Sequence, residues 1–164
     1  MLAVDSPLAA YRAAATAQDV DGMLACMRDD VVLKSPITDR FAFSGKRQMR
    51  DLLEDVHAVI EDAVYRDDAG DDRTRALTLS ARVGRQRIDE AMVVTLDDDG
   101  LIARMELYIR PLPGLTALAA ALGPRVARRR GRGRALAVRA MIAPLAFMTA
   151  RGEGAGSKLA SPAP

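Results

Sequence analysis

A chain of 164 residues is long enough for one domain with a sizeable core and too short for two ordinary ones. Apolar residues make up 49% of it and aromatics only 4%, so a core and any pocket must be built from Ala, Val, Leu, Ile and Met. The net charge of +2 hides an asymmetry: residues 1–110 carry 15 Lys+Arg against 21 Asp+Glu, while residues 111–164 carry 9 against 1, so the basic character belongs to the tail.

In chain order, the N-terminus "MLAVDSPLAAYR" has no basic region ahead of an apolar run, so no leader is expected. Ser6 is placed to cap a first helix with Pro7 at its first position, and Leu8, Tyr11, Ala15 and Gln18 follow on one face. "DVDGMLACM" reads as a short second helix capped by Asp19 or Asp21. Its lone cysteine, Cys26, excludes an internal disulfide and fits a reducing, cytoplasmic setting. Asp29-Asp30 is expected to break this helix, "VVL" to form a small strand, and Pro36 to hold Ser35 extended. "RFAFSG" alternates as a second short strand with Phe41 and Phe43 on the same side.

The clearest periodicity comes next. Met49, Leu52, Leu53, Val56, His57 and Ile60 form one helical stripe. Three strands follow: "RTRALTLSARV", "RIDEAMVVTL" and "LIARMELYIR", joined at Gly84 and at "DDDG". Each has one oily face and one polar face, as an antiparallel sheet covered by helices on one side requires. After Pro111 and Pro113 the tail reads as a short helix, a basic Gly-Arg hinge, a second apolar helix and a frayed, disordered end. The low Lys and high Arg, Ala and Asp content suggests a GC-rich bacterial genome.

"AAATAQDVDGMLACMRDDVVLKSPI…FSG", a helix, then "VVTLDDDGLIARMELYIRP" together resemble the SnoaL-like branch of the nuclear transport factor 2-like superfamily, over residues 6–112. The resemblance implies an α+β fold: a cone-shaped, curved antiparallel sheet of four to six strands wrapped on three helices, with residues 113–164 as a helical extension. In that fold the Asp-Asp turn feeds a strand at the pocket mouth, and Gly45 starts the helix that closes the cone. Members include ketosteroid isomerases, polyketide cyclases, epoxide hydrolases, dehydratases and domains with no demonstrated chemistry. Set beside the isomerases, the family's tyrosine matches Tyr11, its aspartate base falls at Ser35 and its proton-donating aspartate falls at Met92. A serine hydroxyl is no base without a neighbour to take its proton, and a thioether donates no hydrogen bond. Isomerase chemistry is therefore disfavoured, and Met92 weakens the cyclase reading as well.

Three side chains carry candidate chemistry. Tyr11 lies on the buried helix face, as a pocket hydroxyl or as a core tyrosine bonded to a backbone carbonyl. His57 is either a buried neutral imidazole with one partner or an acid or base at the pocket wall. Glu90 shares its strand face with Ile88, Met92, Val94 and Leu96. It is either a buried carboxylate with a raised pKa or, the reading slightly favoured, a glutamate at the rim or beside a bulge. Ser35, Phe41, Phe43, Leu53, Met92 and Met105 are the expected pocket lining.

The clusters "DDAGDD" and "DDDG" lack the ligand alternation of a calcium loop and read as hairpin turns. No phosphate loop or zinc spacing occurs, so neither cofactor nor metal is expected. "RRRGRGR" has no interleaved aromatics, which argues against specific nucleic-acid binding. Ala135 to Met148 has only Arg139 charged and is too short to span a bilayer; with the basic run, residues 125–148 would lie on a membrane, cap the cone or pack on a second subunit, the protein contacts being favoured. The expectation is a small apolar ligand in the cone, with or without acid–base chemistry, in a homodimer paired through Arg104, Glu106, Tyr108 and Arg110 on the outer sheet face.

Overall fold

The computed structural model describes residues 6–160, so the leader reading at 1–5 and the last of the expected frayed end, 161–164, lie outside the described residues. Helix α1 (Ala9–Thr16) starts later than expected, and Ser6 is not its cap. The Ser6 hydroxyl instead accepts from the Leu8 N–H at 3.1 Å and donates to Asp68. Asp19 caps α2 (Val20–Ala25) as expected, accepting from the Gly22 N–H at 3.0 Å. A Cβ on Gly22 would stand 2.5 Å from that carboxylate and 3.0 Å from Ala14 Cβ, so glycine lets the two helices meet.

Six strands form one sheet: β1 (Met27–Lys34), β2 (Ala42–Ser44), β3 (Glu61–Gly70), β4 (Thr74–Val83), β5 (Gln86–Leu96) and β6 (Ile102–Arg110), in the order β2-β1-β6-β5-β4-β3. Asp29 and Asp30 do not break a helix; they sit exposed within β1, which is longer than "VVL". The sheet is mixed rather than wholly antiparallel, because β1 runs parallel to β6. More than sixty residues separate those strands, ample for the crossover that a parallel pair needs.

Strand β3 has no counterpart among the expected elements. Its pairing with β4 slips between Glu61 and Val64 and again between Tyr65 and Asp68, and the edge position leaves most of it exposed. Two irregularities erase the period-2 signal that identifies a half-buried strand. "DDAGDD" is thus the end of β3 followed by a turn in which Asp71 accepts from the N–H groups of Arg73 and Thr74.

Helix α3 (Gly45–His57) lies against the sheet with Met49, Leu52 and Leu53 buried. It faces the inward side of β4 to β6, where Leu77, Met92, Val94 and Met105 point. Each such side chain, fully buried, stabilises by about 1.5–3 kcal/mol. A second cluster, Leu79, Ala81, Val83 and Ile88, is covered by Leu118 of α4 (Leu112–Arg128). A Cβ on Gly114 would lie 2.5 Å from the Arg87 carbonyl and 2.7 Å from Ile88 Cγ2, so α4 rests directly on the β5 backbone.

After Gly131 (φ 129°), α5 (Arg132–Ala160) folds back along α4. It is one helix through Pro144 and the glycine-rich stretch where fraying was expected. Between Arg132 and Gly154 it is, by length and composition alone, long and apolar enough to cross a bilayer, contrary to the shorter segment expected. Arg129 holds the turn to α3 through Asp51 at 2.7 Å, Asp55 at 3.0 Å and Glu54 at 3.3 Å.

The fully buried Asp68 carboxylate on β3 accepts from Arg75 Nε at 2.6 Å and from Ser6, with Arg12 Nη1 at 3.6 Å. This knot ties the start of α1 to β3 and β4. Truncating Asp68 to Ala removes the buried carboxylate that Arg75 and Arg12 both face, and urea unfolding is expected to show a loss of about 3–5 kcal/mol.

Candidate functional site

The hollow between the sheet and α1, α3 and α4 is a cavity of about 630 Å³. Tyr11, Ser35, Leu53, His57, Glu90, Met92 and Met105 border it. Phe41 and Phe43, expected in the lining, do not. Their strand lies at the sheet edge beyond β1; Phe41 is 54% exposed and meets the Phe43 ring edge-on at 5.7 Å. Leu118 and Leu122 of α4 supply wall instead. Exposed lining residues, among them Gln18, Ile37, Glu61 and Asp62, mark the mouth. Gln18 (φ 56°) and Asp62 (φ 53°) are also the described non-glycine residues with left-handed backbone.

Glu90 is not at the rim. The β4–β5 ladder is regular from Gln86 to Thr95 and pairs Glu90 with Leu79, so no bulge turns the side chain outward. It is only 7% exposed and makes no hydrogen bond with a described residue. Removal from water pushes its pKa up to about 7. Two phenols share its surroundings. Burial raises the Tyr11 pKa well above the ordinary value, with Tyr65 and Glu90 adding to the rise. Burial and then Glu90 raise that of Tyr65. With both pKa values raised above the ordinary 10, the phenols stay protonated at physiological pH, and neither hydroxyl is bonded to a described backbone carbonyl.

Tyr65 escaped the sequence reading because its strand did; the only signal was the β-favouring pair Val64-Tyr65 in an acidic stretch. His57 is the last residue of α3 and half-buried, and burial lowers its pKa, so the imidazole is neutral at pH 7. It has no hydrogen-bond partner among the described residues, and Glu54 one turn away points outward to Arg129. Among the described residues, no group of three or more His, Cys, Asp or Glu side chains is placed to hold a metal ion.

The cavity therefore offers apolar walls, two phenol donors and one carboxyl poised near neutrality. Such a group donates a hydrogen bond when protonated and accepts a proton when ionised. On the opposite face of the sheet is a separate open groove of about 500 Å³, bordered by Arg66, Ser80, Asp89, Tyr108 and Arg110. Beside it Glu106 accepts from Arg104 at 2.9 Å and pairs with Lys34 at 3.0 Å.

A helix-lined cone on a bent sheet is the architecture of the nuclear transport factor 2-like superfamily. The profile of the SnoaL-like domain matches residues 8–105, more than half of the chain, and the chain belongs to that family. No curated protein matches it. Among solved structures, a steroid delta-isomerase from Pseudomonas aeruginosa is 29% identical, with a TM-score of 0.65 over 76% of this chain and 88% of that one. An uncharacterized protein with a cystatin-like fold from Silicibacter pomeroyi is 25% identical, with a TM-score of 0.69 over 81% and 92%. The epoxide hydrolase/cyclase-like enzyme SalBIII of salinomycin pyran ring formation shares the fold at 17% identity, with a TM-score of 0.55 over 63% and 88%.

Glu90 gives stability a defined pH dependence. Its folded pKa, about 7, lies above the ordinary 4.5, so between those values the folded chain holds a proton that the unfolded chain has released. This contribution is complete below pH 4.5, declines as pH rises to 7, and levels off above, by up to about 3 kcal/mol. Glu90→Gln is expected to remove that slope in chemical denaturation and to make the protein more stable than the parent above pH 7.

Proposed function

We propose that the chain binds a small, largely apolar molecule in the cone, oriented through a polar group that meets Glu90, Tyr11 and Tyr65. The supporting observation is a cavity of about 630 Å³ with methionine and leucine walls and one buried, unbonded carboxyl. That volume lies within the range of about 300–1,000 Å³ usual for small-molecule sites. Mass spectrometry under native conditions on protein isolated from its own cells is expected to reveal a retained ligand. Met92→Trp, which fills the cavity from the floor, is expected to weaken an apolar fluorescent probe at least about tenfold. Undiminished probe binding by that variant removes the cone as the site.

A second reading, an acid–base enzyme of isomerase, dehydratase or hydrolase type, is favoured by the Glu90 pKa near 7. The similar steroid delta-isomerase points the same way. The positions that match the isomerases' own base and donor are Ser35 and Met92, so proton transfer here falls to Glu90, one inward position along β5 from Met92, with the tyrosines stabilising developing oxyanion charge. His57, neutral at the wall, is the alternative proton carrier. Glu90→Gln then lowers turnover by about 10²–10⁴ while probe affinity holds, and turnover of the parent rises with pH through an inflection near 7.

Pairing of two copies through the outer sheet face is part of this reading. Tyr108, 57% exposed, stands at its centre among Arg104, Glu106 and Arg110. Tyr108→Asp, placing a like charge beside Glu106, is expected to halve the mass seen in sedimentation velocity.

A further inference from the structure

Helix α5 is covered on one side only. Val138 and Ile142 pack against α4 at Gly123, and Thr149 shares a 2.6 Å hydrogen bond with Thr116. At 100° per residue these positions, with the buried Ala135, define its inner face. The opposite side presents Leu136, Met141, Phe147 and Met148, each more than half exposed, with Met141 at 75%. Arg139 falls near the inner edge, so the outer stripe carries no charge from Ala135 to Ala150. Arginines bracket it. Arg130, Arg132 and Arg134 are exposed at one end and make no ion pair with a described residue. Arg151 is at the other, its guanidinium 4.5 Å from the Phe147 ring. Arg129 is committed to α3 and takes no part.

We propose that this face docks on an anionic lipid bilayer, with α5 lying in the plane of the interface. Apolar side chains over one stripe and arginines at its ends are what lipid tails and acidic headgroups each recognise. Charge decides against a second copy of the chain. Residues 111–164 hold 9 Lys+Arg and 1 acid, so two such faces opposed would bring like charge together at every end. Packing decides against spanning. Gly114 seats α4 on the β5 backbone and α4 holds α5 along its length, so α5 cannot stand across a bilayer without leaving the body. None of this depends on what the cone binds.

The test is co-sedimentation of the full chain with vesicles of phosphatidylcholine alone and of phosphatidylcholine mixed with phosphatidylglycerol. Binding is expected with the anionic vesicles only and falls as salt is raised. The double variant Met141→Asp, Phe147→Asp is expected to lose at least about tenfold in partitioning, and Arg130→Gln, Arg132→Gln, Arg134→Gln about fivefold per arginine. Circular dichroism and the thermal midpoint stay at parent values, since these side chains are exposed. Failure to sediment, equal binding to both vesicles, or parent-like binding by the double variant overturns the proposal. So does a lower mass of that variant in lipid-free sedimentation velocity, which assigns the face to a second copy, or resistance to alkaline carbonate, which makes the helix spanning.

Discussion

The structure depends on one constraint: a bent sheet with a single apolar face must have its concave side covered, and three slender helices do not fill it. Three phenylalanines and three tyrosines are the whole aromatic stock of the chain. Phe41 and Phe43 meet edge-on at the β2 edge of the sheet, outside the cavity lining, Phe147 stands on the outer helix, and Tyr108 faces away from the cone. Only Tyr11 and Tyr65 place rings inside. Close packing is the rule in protein interiors, so a hollow of about 630 Å³ walled by Leu, Met and Ile is a property of side chains too small to close it.

The chemistry follows from the same geometry. An inward position on β5 is apolar by default, and Ile88, Met92, Val94 and Leu96 obey. Glu90 breaks the pattern without acquiring a partner among the described residues, so the cost of burial appears as a carboxyl that titrates near neutrality rather than as a salt bridge. The chain does build a buried ion cluster, at Asp68, Arg75 and Arg12, but that cluster neighbours the cavity without bordering it. One buried carboxylate is fixed by two arginines and is structural. The other has no partner among the described residues and faces the hollow.

Most of the fold was legible because α3, β4 and β5 keep strict periods over ten or more residues, and β6 over nine. Leu77 to Val83 and Ile88 to Leu96 alternate without interruption, so the face each presents could be read directly. Direction is what alternation encodes; depth is not. Glu90 was therefore assigned the correct side and the wrong exposure, since depth depends on α4, whose packing on β5 no local pattern announces. Tyr65 stayed hidden because two register slips in β3 scramble its period. Phe41 and Phe43 were read as a pair on one side, which they are, but which side of an edge strand overlooks the hollow is decided by its neighbour β1. The length of α5 was missed because its last turns run through glycine, where intrinsic helix propensity is poor.

The shared family pattern stops at residue 105, yet the interior does not. Leu118 seals Leu79, Ala81, Val83 and Ile88, and with Leu122 it forms part of the cavity wall. The inherited unit and the folding unit are thus of different lengths here. A chain cut after the last strand would keep every family landmark and still lay bare an oily quarter of its own centre.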